Sequence, residues 1–454
     1  MTPRTIALFT PYFDATLPSG GVQLSMDVTR EWVAQGHRVH VLTSTRERQL
    51  GDLAEVVERG AISLYRVVSE EQVRFTHVPF EDVYEDTCTV LDAVRPDIVH
   101  IHNTQGMLSG VRAALDAGTW PCVLTALDYG LLCFNFCLHD GTATPCTGPE
   151  SAAKCRQCLA RGGLRGPARW AGSVMPTSLT RRIWPHYVRL EHYKTASDAQ
   201  SLMRSILTDL DAIIAPSPGL AQHLVRYGAR QEQVHEILYG VSPTKRVRPA
   251  KMDSLVLRLA FFGGSSPIKG LEVLLQAAAL LPDGLALELR AFGGDVERRI
   301  IETAGPATRR YVRHFPRLGE ELAAAHAEFD AVLVPSQVHE NSPLVILEAF
   351  ANGTPVIAAD QIGIRHLVHN GHNGWLVPAS LPGAWARTLE RAATCRDQLE
   401  AMREFSVFSR TTADFVSDVS EVEAALLRTA GLSAHARSLL THHGEATPRQ
   451  PVMV

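Results

Sequence analysis

Long apolar runs and an excess of charge of either sign are both absent from the sequence. No apolar run approaches the roughly 18 residues of a membrane-spanning helix. Met1–Arg4 is followed by a short strand pattern instead of the apolar core of a secretion signal. The 44 Lys and Arg and 48 Asp and Glu residues give a net charge of −4, which provides no general attraction to nucleic acid or to a membrane surface. We therefore expect a cytoplasmic protein with neither a transmembrane segment nor a nucleic-acid partner.

The chain is too long for one hydrophobic core, since 454 residues predict two or three domains. Strand and helix patterns alternate in its first half, which favours a doubly wound parallel sheet. A helix is predicted over Val22–Gln35, and another is capped by Ser217. The predicted strands are Thr5–Thr10, Arg38–Thr43, Pro96–His102, Pro121–Thr125 and Asp211–Ala215.

A second alternating series starts near Leu255, after a Pro-rich, charged linker at Ser242–Pro249. Its predicted strands are Leu257–Phe262, Ala286–Phe292, Tyr311–His314, Ala331–Val334 and Pro355–Ala358. The sequence thus predicts an α/β protein of two Rossmann-like domains that face each other across a cleft. We expect the first domain at 1–243, with an insertion at about 129–195, and the second at 250–400. A helix at 401–430 is expected to pack back on the first domain, and 431–454 are expected to form a flexible tail.

Two carboxylates, Glu340 and Glu348, lie eight positions apart after the apolar run Ala331–Pro335. That run is typical of a buried parallel strand, and Pro343 suits the first turn of a helix, where a missing N–H costs nothing. Glu340 is therefore predicted in the loop after the strand, and Glu348 about two turns further on. Open α/β sheets bind anionic ligands at such helix starts, and a carboxylate there suits sugar or ribose hydroxyls.

The stretch Val332–Ile357, with Pro-Ser, Glu-Asn-Ser-Pro, Glu-Ala and Gly-Thr-Pro-Val in succession, resembles the retaining glycosyltransferases of family four. The resemblance extends over roughly residues 5 to 400 and implies the GT-B fold, a nucleoside-diphosphate sugar donor and no catalytic cofactor. It also implies that Glu348 binds the donor ribose and that Glu340 lies near the donor sugar.

A glycine-rich loop, Phe262–Gly270, follows a predicted strand and precedes a helix. Gly263 and Gly264 allow a phosphate to approach the backbone, and Lys269 supplies a positive charge. By resemblance Lys269 binds the pyrophosphate, although Gly264 stands where the family often has an arginine. The remaining donor contacts implied by resemblance are Ser342, the N–H groups of Leu344 and Val345, and the N-terminal glycine loop at Gly20 and Gly21.

The acceptor side departs from the family pattern. His100 and His102 alternate on one strand face; His102 is the candidate catalytic residue, whereas a structural role is at least as favoured for His100. Leu127 replaces the histidine of the usual Thr-x-His-Asp, and only Asp128 remains as a polar group. Two interpretations stay open: an acceptor that needs no base, or a protein that binds a sugar nucleotide but turns over poorly.

By resemblance, transfer retains the anomeric configuration, with attack on the face that the leaving group departs from. The leaving diphosphate then helps to take the acceptor proton. Glu340, Lys269 and His102 are the expected catalytic residues of such a transfer. The Ala- and Arg-rich composition is typical of high-GC genomes, an association that suggests specialised metabolism and a small-molecule acceptor. A non-catalytic sugar-nucleotide-binding partner and a GT-B hydrolase or epimerase are the alternatives, and the oligomeric state is left open.

Five of the eight cysteines fall within 26 residues. Cys155 and Cys158 have the Cys-x2-Cys spacing that lets two thiolates bind one ion, and Cys133 and Cys146 can complete a tetrahedral set across a turn-rich loop. Some members of the family carry a similar insertion. We expect structural zinc at these four cysteines, with Cys137 as a substitute ligand and an iron–sulfur cluster as the less favoured alternative.

Overall fold

The computed structural model describes residues 2–14, 17, 19–45, 55–57, 61–69, 80–140, 145–163, 190–242, 255–293, 295–315 and 328–441. Two open α/β sheets dominate the fold, one on each side of a cleft. The predicted linker at Ser242–Pro249 lies almost entirely outside the described residues.

The first sheet has eight strands in the order β3-β4-β2-β1-β5-β6-β7-β8, all parallel except β3 against β4. These strands are β1 Thr5–Phe9, β2 Arg38–Thr45, β3 Glu55–Val57, β4 Ile62–Ser69, β5 Ile98–Ile101, β6 Cys122–Thr125, β7 Ala212–Ala215 and β8 Val234–Glu236. Its helices are α1 Gly20–Ala34, α2 Glu81–Val94, α3 Leu108–Ala117, α4 Ala152–Gly163, α5 Leu190–Asp209 and α6 Pro218–Arg226. The chain reverses its direction of winding between β1 and β5, which creates a crevice at the carboxyl ends of these two strands.

The second sheet has six parallel strands in the order β11-β10-β9-β12-β13-β14. They are β9 Leu257–Phe262, β10 Leu287–Phe292, β11 Val312–Phe315, β12 Ala331–Val334, β13 Val356–Ala359 and β14 Gly374–Val377. The helices are α7 Leu271–Ala279, α8 Val296–Thr303, α9 Pro306–Tyr311, α10 Leu344–Ala351, α11 Ile362–Arg365, α12 Pro382–Thr394, α13 Arg396–Arg403 and α14 Thr412–Thr441. Here the winding reverses between β9 and β12.

The central strands are buried on both faces, which explains why they are continuous apolar runs in the sequence. All residues of β1, β5, β6, β7, β12 and β13 are buried. Trp32 of α1 and Trp385 of α12 are fully buried and anchor one helix on each sheet. Burial of such a side chain contributes on the order of 2–3 kcal/mol relative to an exposed position.

Helix α14 returns from the second sheet to the first, where it packs against α1. Its Glu423 is buried, forms an ion pair with Arg4 at 3.0 Å and is hydrogen-bonded to His100 Nδ1 at 3.0 Å. This carboxylate is therefore satisfied by partners from the first domain, which fixes the helix on the first sheet.

The structure confirms each strand predicted from the sequence, with bounds within a residue or two at most ends. Helix α14 continues to Thr441, into the segment for which a flexible tail was predicted. Residues 431–441 are rich in Leu, Ala and Ser, and no proline interrupts them, so the helix can extend. Residues 442–454 lie outside the described part of the chain.

Candidate active site

The candidate site lies where the winding of each sheet reverses. In the second sheet, the glycine-rich loop follows β9 and the Pro335–Pro343 loop follows β12, and these strands are neighbours. Loops that diverge from adjacent strand ends leave a crevice between them, which is the usual ligand position in such sheets. The residues expected to bind the donor are therefore brought together by topology, although most of them are far apart in sequence.

The two loops are fastened to each other by backbone contacts. Gln337 N–H donates to the carbonyl of Ile268 at 2.8 Å. Gly270 has a φ of +79°, and a Cβ placed there would lie 1.9 Å from the carbonyl oxygen of Pro335. Only glycine fits this close approach, so the loop that carries Lys269 is held rigidly against the loop that carries Glu340.

Lys269 and Glu340 form the charged centre of the site. Lys269 Nζ lies 3.1 Å from Glu340 Oε1, and the Ser336 hydroxyl donates to the same oxygen at 2.6 Å. Burial alone would raise the pKa of Glu340, but the Lys269 charge and these hydrogen bonds outweigh it and lower that pKa. The Glu340 carboxylate in turn raises the pKa of Lys269. Both groups are therefore charged at neutral pH, and 44% of the Lys269 side chain remains accessible to a ligand.

Glu348 lies in α10 and is half-buried. Pro343 caps this helix without a side-chain hydrogen bond, so the N–H groups of Leu344 and Val345 have no partner within the helix. Ser342 stands just before them, and its buried hydroxyl has no protein hydrogen-bond partner. The helix start thus offers N–H and O–H donors to an anion, and Glu348 follows about one turn further on.

The N-terminal glycine loop approaches the same helix from the first domain. A Cβ placed on Gly20 would lie 3.4 Å from Leu344 Cδ1, and one placed on Gly21 would lie 3.7 Å from Leu127 Cδ1. The start of α1 and the start of α10 therefore face each other across the cleft. An anionic ligand between them would meet backbone N–H groups from both domains.

Asn341 joins the two domains beside the charged centre, a role that the sequence did not indicate. Its Nδ2 donates to the carbonyl of Ala126 at 2.6 Å, and the Ser217 hydroxyl donates to its Oδ1 at 3.3 Å. The adjacent Glu340 carbonyl accepts from the Tyr129 hydroxyl at 3.2 Å. The Glu340 loop is therefore held by the first domain as well as by its own.

Gly264, where the family often has an arginine, lies close to a carboxylate. A Cβ placed on it would lie 3.5 Å from Asp295 Oδ1. Asp295 accepts from the Ser265 N–H at 3.1 Å and from the Ser265 hydroxyl, and these hydrogen bonds lower the pKa of Asp295. The Gly263 N–H donates to the backbone carbonyl of Phe292. The glycine-rich loop therefore leaves β9 beside the end of β10.

The side of the cleft on which the acceptor is expected is formed by the residues after β5 and β6. Asp128 accepts from Asn103 Nδ2 at 2.5 Å and from Gly130 N–H at 2.7 Å. Burial raises the pKa of Asp128 to about 7, against the effect of these hydrogen bonds. A small cavity is lined by Asp128, Asn103, Leu127 and His102, and Asp128 is the group there that can exchange a proton near neutral pH.

His100, in β5, and His102, just after it, both hydrogen-bond to buried protein groups. His100 hydrogen-bonds to Glu423 and, through Nε2, to Thr125 Oγ1 at 2.7 Å. His102 is 1% exposed and hydrogen-bonds to Ser25 Oγ at 2.9 Å, while its Nε2 has no protein partner. Burial and the neighbouring His100 lower the pKa of His102 well below its usual value, so this imidazole is neutral.

The cysteines of the insertion lie together at the edge of the first domain. Burial and, after it, the neighbouring thiols of Cys133, Cys155 and Cys146 raise the pKa of Cys158 to about 12. Burial also raises the pKa of Cys137, and the nearby Glu340 carboxylate adds to that rise. In the described part of the chain, no three His, Cys, Asp or Glu side chains are arranged with the geometry of a formed metal site.

Comparison with protein families identifies both domains. Residues 19–240 match the model described as glycosyl transferase 4-like domain, and residues 257–394 match the model described as glycosyl transferases group 1. The chain carries the two domains of a glycosyltransferase.

Curated relatives of these glycosyltransferase domains include two named D-inositol 3-phosphate glycosyltransferase. The one from Streptomyces griseus is 31% identical over 265 residues, which are 55% of this chain and 55% of that protein. The one from Corynebacterium glutamicum is 33% identical over 232 residues, or 47% of this chain and 52% of that protein. The chain spans about half the length of the curated relatives it matches.

Solved structures of similar fold cover nearly the whole glycosyltransferase chain. Sucrose-phosphate synthase from Thermosynechococcus elongatus has a TM-score of 0.62 at 16% identity, over 95% of this chain and 100% of that one. Anabaena HepE in complex with UDP and glucose has a TM-score of 0.59 at 15% identity, over 93% and 100%. Together with the two parallel sheets, these likenesses confirm the predicted GT-B fold.

The residues expected in the candidate site fall into groups on the two sides of the cleft. Lys269 and Glu340 touch each other, and Gly20 approaches Leu344 at the start of the helix that carries Glu348. His102 lines the small cavity with Asp128 and hydrogen-bonds through Nδ1 to Ser25 of α1. Among the described residues, no helix combines the length and the hydropathy needed to cross a bilayer.

Proposed function

We propose that the protein transfers a sugar from a nucleoside-diphosphate sugar to a small-molecule acceptor with retention of the anomeric configuration. The observation that carries this proposal is the Lys269–Glu340 pair, held beside the open helix start that leads to Glu348. Lys269 with the backbone N–H groups at the helix start matches the diphosphate of one donor, Glu340 matches its sugar, and Glu348, about one turn into the helix, matches its ribose. HepE, a structural neighbour, is described in complex with UDP and glucose, which supports a donor of this class.

The diphosphate would lie between the two helix starts, with Lys269 and the N–H groups of Leu344 and Val345 neutralising it. As the bond from the anomeric carbon to the phosphate oxygen breaks, negative charge grows on that oxygen, and fixed donors stabilise it. The acceptor hydroxyl attacks the same face and forms the new glycosidic bond. Its proton passes to the departing phosphate oxygen, so no protein base is required.

The acceptor would enter from the side of Asp128 and Tyr129. Relatives named D-inositol 3-phosphate glycosyltransferase support a small hydroxylated acceptor, and Asp128 can accept a hydrogen bond from a hydroxyl there. Glu340 has its charge balanced by Lys269 and Ser336, so it suits hydrogen bonding to sugar hydroxyls near the reacting carbon. His102 would act through Ser25 as a buried positioning residue instead of as a base.

The test is calorimetric binding of UDP-, GDP-, ADP- and dTDP-sugars to the wild type and to Glu348→Ala. We expect one donor to bind selectively and the substitution to weaken it about tenfold, or roughly 1.4 kcal/mol. The product formed with inositol 3-phosphate and other polyols is then assigned by the anomeric coupling in its NMR spectrum. No donor binding would overturn the proposal, and an inverted product would overturn retention.

A non-catalytic sugar-nucleotide-binding protein is the second candidate, favoured by Leu127 and by the missing cation at Gly264. It predicts selective donor binding that depends on Glu348 but no transfer to any acceptor. Donor cleavage without an acceptor would instead indicate a hydrolase. The same calorimetric and product assays therefore separate all three outcomes.

A further inference from the structure

Four cysteines of the insertion converge although they come from three separate segments. Asn135 connects two of these segments: its backbone N–H donates to Cys133 Sγ at 3.4 Å, and its Nδ2 donates to Cys158 Sγ at 3.0 Å. Asn135 thus joins the loop after β6 to helix α4. Two sulfurs lie within hydrogen-bond reach of one side chain and its own backbone.

The third sulfur, that of Cys146, is joined to the group by backbone contacts with the loop after β6. His139 and Pro145 form an antiparallel bridge, and Cys146 N–H donates to the Leu138 carbonyl at 2.7 Å. Lys154 Nζ donates to the Gly148 carbonyl at 3.1 Å. The Cys146 turn is therefore fastened both to the Cys133 loop and to the first turn of α4, one residue from Cys155.

The sulfurs accept N–H groups in the way that favours thiolates. Cys133 and Cys146 each accept the backbone N–H of the residue two positions later, at 3.4 Å in both cases. Cys155 Sγ accepts from Gln200 Nε2 of α5 at 3.2 Å. N–H donors that point at sulfur stabilise its charged form and orient it, which is the usual environment of a metal-bound thiolate.

We propose that Cys133, Cys146, Cys155 and Cys158 bind one zinc ion, which holds the insertion against the acceptor side of the cleft. Four thiolates from a Cys-x2-Cys pair and two turns form the closed tetrahedral set of structural zinc. The thiols release their protons as the ion binds, and the Lys154 ammonium beside the Cys146 turn offsets part of the remaining negative charge. Binding of the ion would have to draw the four sulfurs closer together, since among the described residues no three such side chains have the geometry of a formed site.

Cys137 is not part of this set. It lies within the same loop, four residues after Cys133, and none of the sulfur hydrogen bonds described above involves it. It therefore provides a matched control from the same segment, and Cys88 and Cys395 provide controls from elsewhere in the chain. The structure describes all eight cysteines as free thiols, so none is withheld by a disulfide.

The test is elemental analysis of the full chain, purified without metal-affinity steps. We expect about one zinc per chain in the wild type and in Cys137→Ser, Cys88→Ser and Cys395→Ser, and strong loss in Cys155→Ser and Cys158→Ser. Less than about half an equivalent of zinc in the wild type, or full retention in Cys155→Ser, would overturn the proposal. Iron found together with acid-labile sulfide would indicate an iron–sulfur cluster instead of zinc. Loss of zinc in Cys137→Ser would overturn the proposed ligand set.

A second measurement does not depend on whether the variants fold. Wild-type protein stripped by a chelator is titrated with Co²⁺, and the visible absorption of a tetrahedral thiolate site is expected to saturate near one equivalent. Octahedral cobalt spectra or no binding would contradict the site. Metal content is read without any sugar donor, so this proposal can fail while the transferase proposal holds, and the reverse.

Discussion

Lys269→Met removes the ammonium group of this lysine and keeps most of its alkyl chain. The substitution therefore isolates what the charge contributes to Glu340 and to a bound diphosphate. At the 3.1 Å separation of Nζ and Oε1, the gross Coulomb energy in an effective dielectric of about 20 is about 5 kcal/mol. The net contribution to folding is much smaller, because 44% of the Lys269 side chain is exposed to water and exposed pairs contribute on the order of 1 kcal/mol.

The effect on the reaction should be larger than the effect on the fold. A fixed cation beside the departing diphosphate acts on charge that grows in the transition state, and removal of one such group typically lowers kcat by about 100- to 1000-fold. We expect a loss of this size, with a fall in melting temperature of only about 2–4 °C. Steady-state kinetics with the donor chosen by calorimetry and differential scanning calorimetry measure the two effects.

A closely matched control exists on helix α1. Arg30 pairs with Asp27 at 2.8 Å with side chains 48% and 17% exposed, compared with 44% and 16% for Lys269 and Glu340. Arg30→Met should therefore have a similar effect on melting temperature and none on kcat. The reasoning is refuted if Lys269→Met keeps kcat within about threefold of the wild type, or if Arg30→Met loses as much activity.

The pH dependence of stability tests the Lys269–Glu340 pair independently. The pKa of Glu340 is lowered from 4.5, so its contribution to stability is present above that pH and disappears as pH falls through the lowered value. The pKa of Lys269 is raised from 10.5, so its contribution is present below that pH and disappears as pH rises through the raised value. The melting temperatures of wild type and Lys269→Met should differ most between these limits and converge outside them.

Three further substitutions test the surroundings of the site. Gly270→Ala adds a Cβ 1.9 Å from a carbonyl oxygen and should cost at least 2 kcal/mol more in urea unfolding than Gly284→Ala, whose φ of +81° is similar but whose Cβ meets nothing. Asn341→Ala should expand the molecule in small-angle scattering, whereas Asn373→Ala, which breaks hydrogen bonds within one domain, should lower stability without expansion. Because burial raises the pKa of Asp128 to about 7, its stabilisation is complete below its ordinary pKa and is lost as pH rises through 7. Between pH 5 and 8, the melting temperature of Asp128→Asn should therefore fall less than that of the wild type.

The central strands could be predicted from sequence because burial on both faces makes them continuous apolar runs. β12 and β13 are examples, and the helix between them was predicted from Pro343 and the helical spacing of the residues after it. β14, Gly374–Val377, was missed as a strand, because its four residues include a glycine and a half-buried leucine and are followed by proline. Its pairing with β13 comes from tertiary context, not from its own pattern.

The candidate site could be predicted only in part from the sequence, because its residues come together across long sequence separations. Lys269 and Glu340 could each be singled out by resemblance, but their ion pair joins residues 71 positions apart. It depends on β9 and β12 being neighbours, which no local pattern specifies. Asn341 was missed altogether, since its hydrogen bonds reach residues 215 and 124 positions away. Its place beside Glu340 in the Glu-Asn-Ser-Pro stretch was the only available signal.

Leu127 illustrates how the chain compensates for a departure from the family pattern. A histidine at this position would bring a titratable group to the acceptor side, but Leu127 instead packs near Gly21, at the start of α1. The contact adds apolar packing where the glycine loop approaches the second domain. In the transfer that we propose, the acceptor proton passes to the departing phosphate oxygen, while the neighbouring Asp128, whose pKa burial raises to about 7, binds the acceptor. That route needs no histidine at 127, so the proposal is compatible with Leu127.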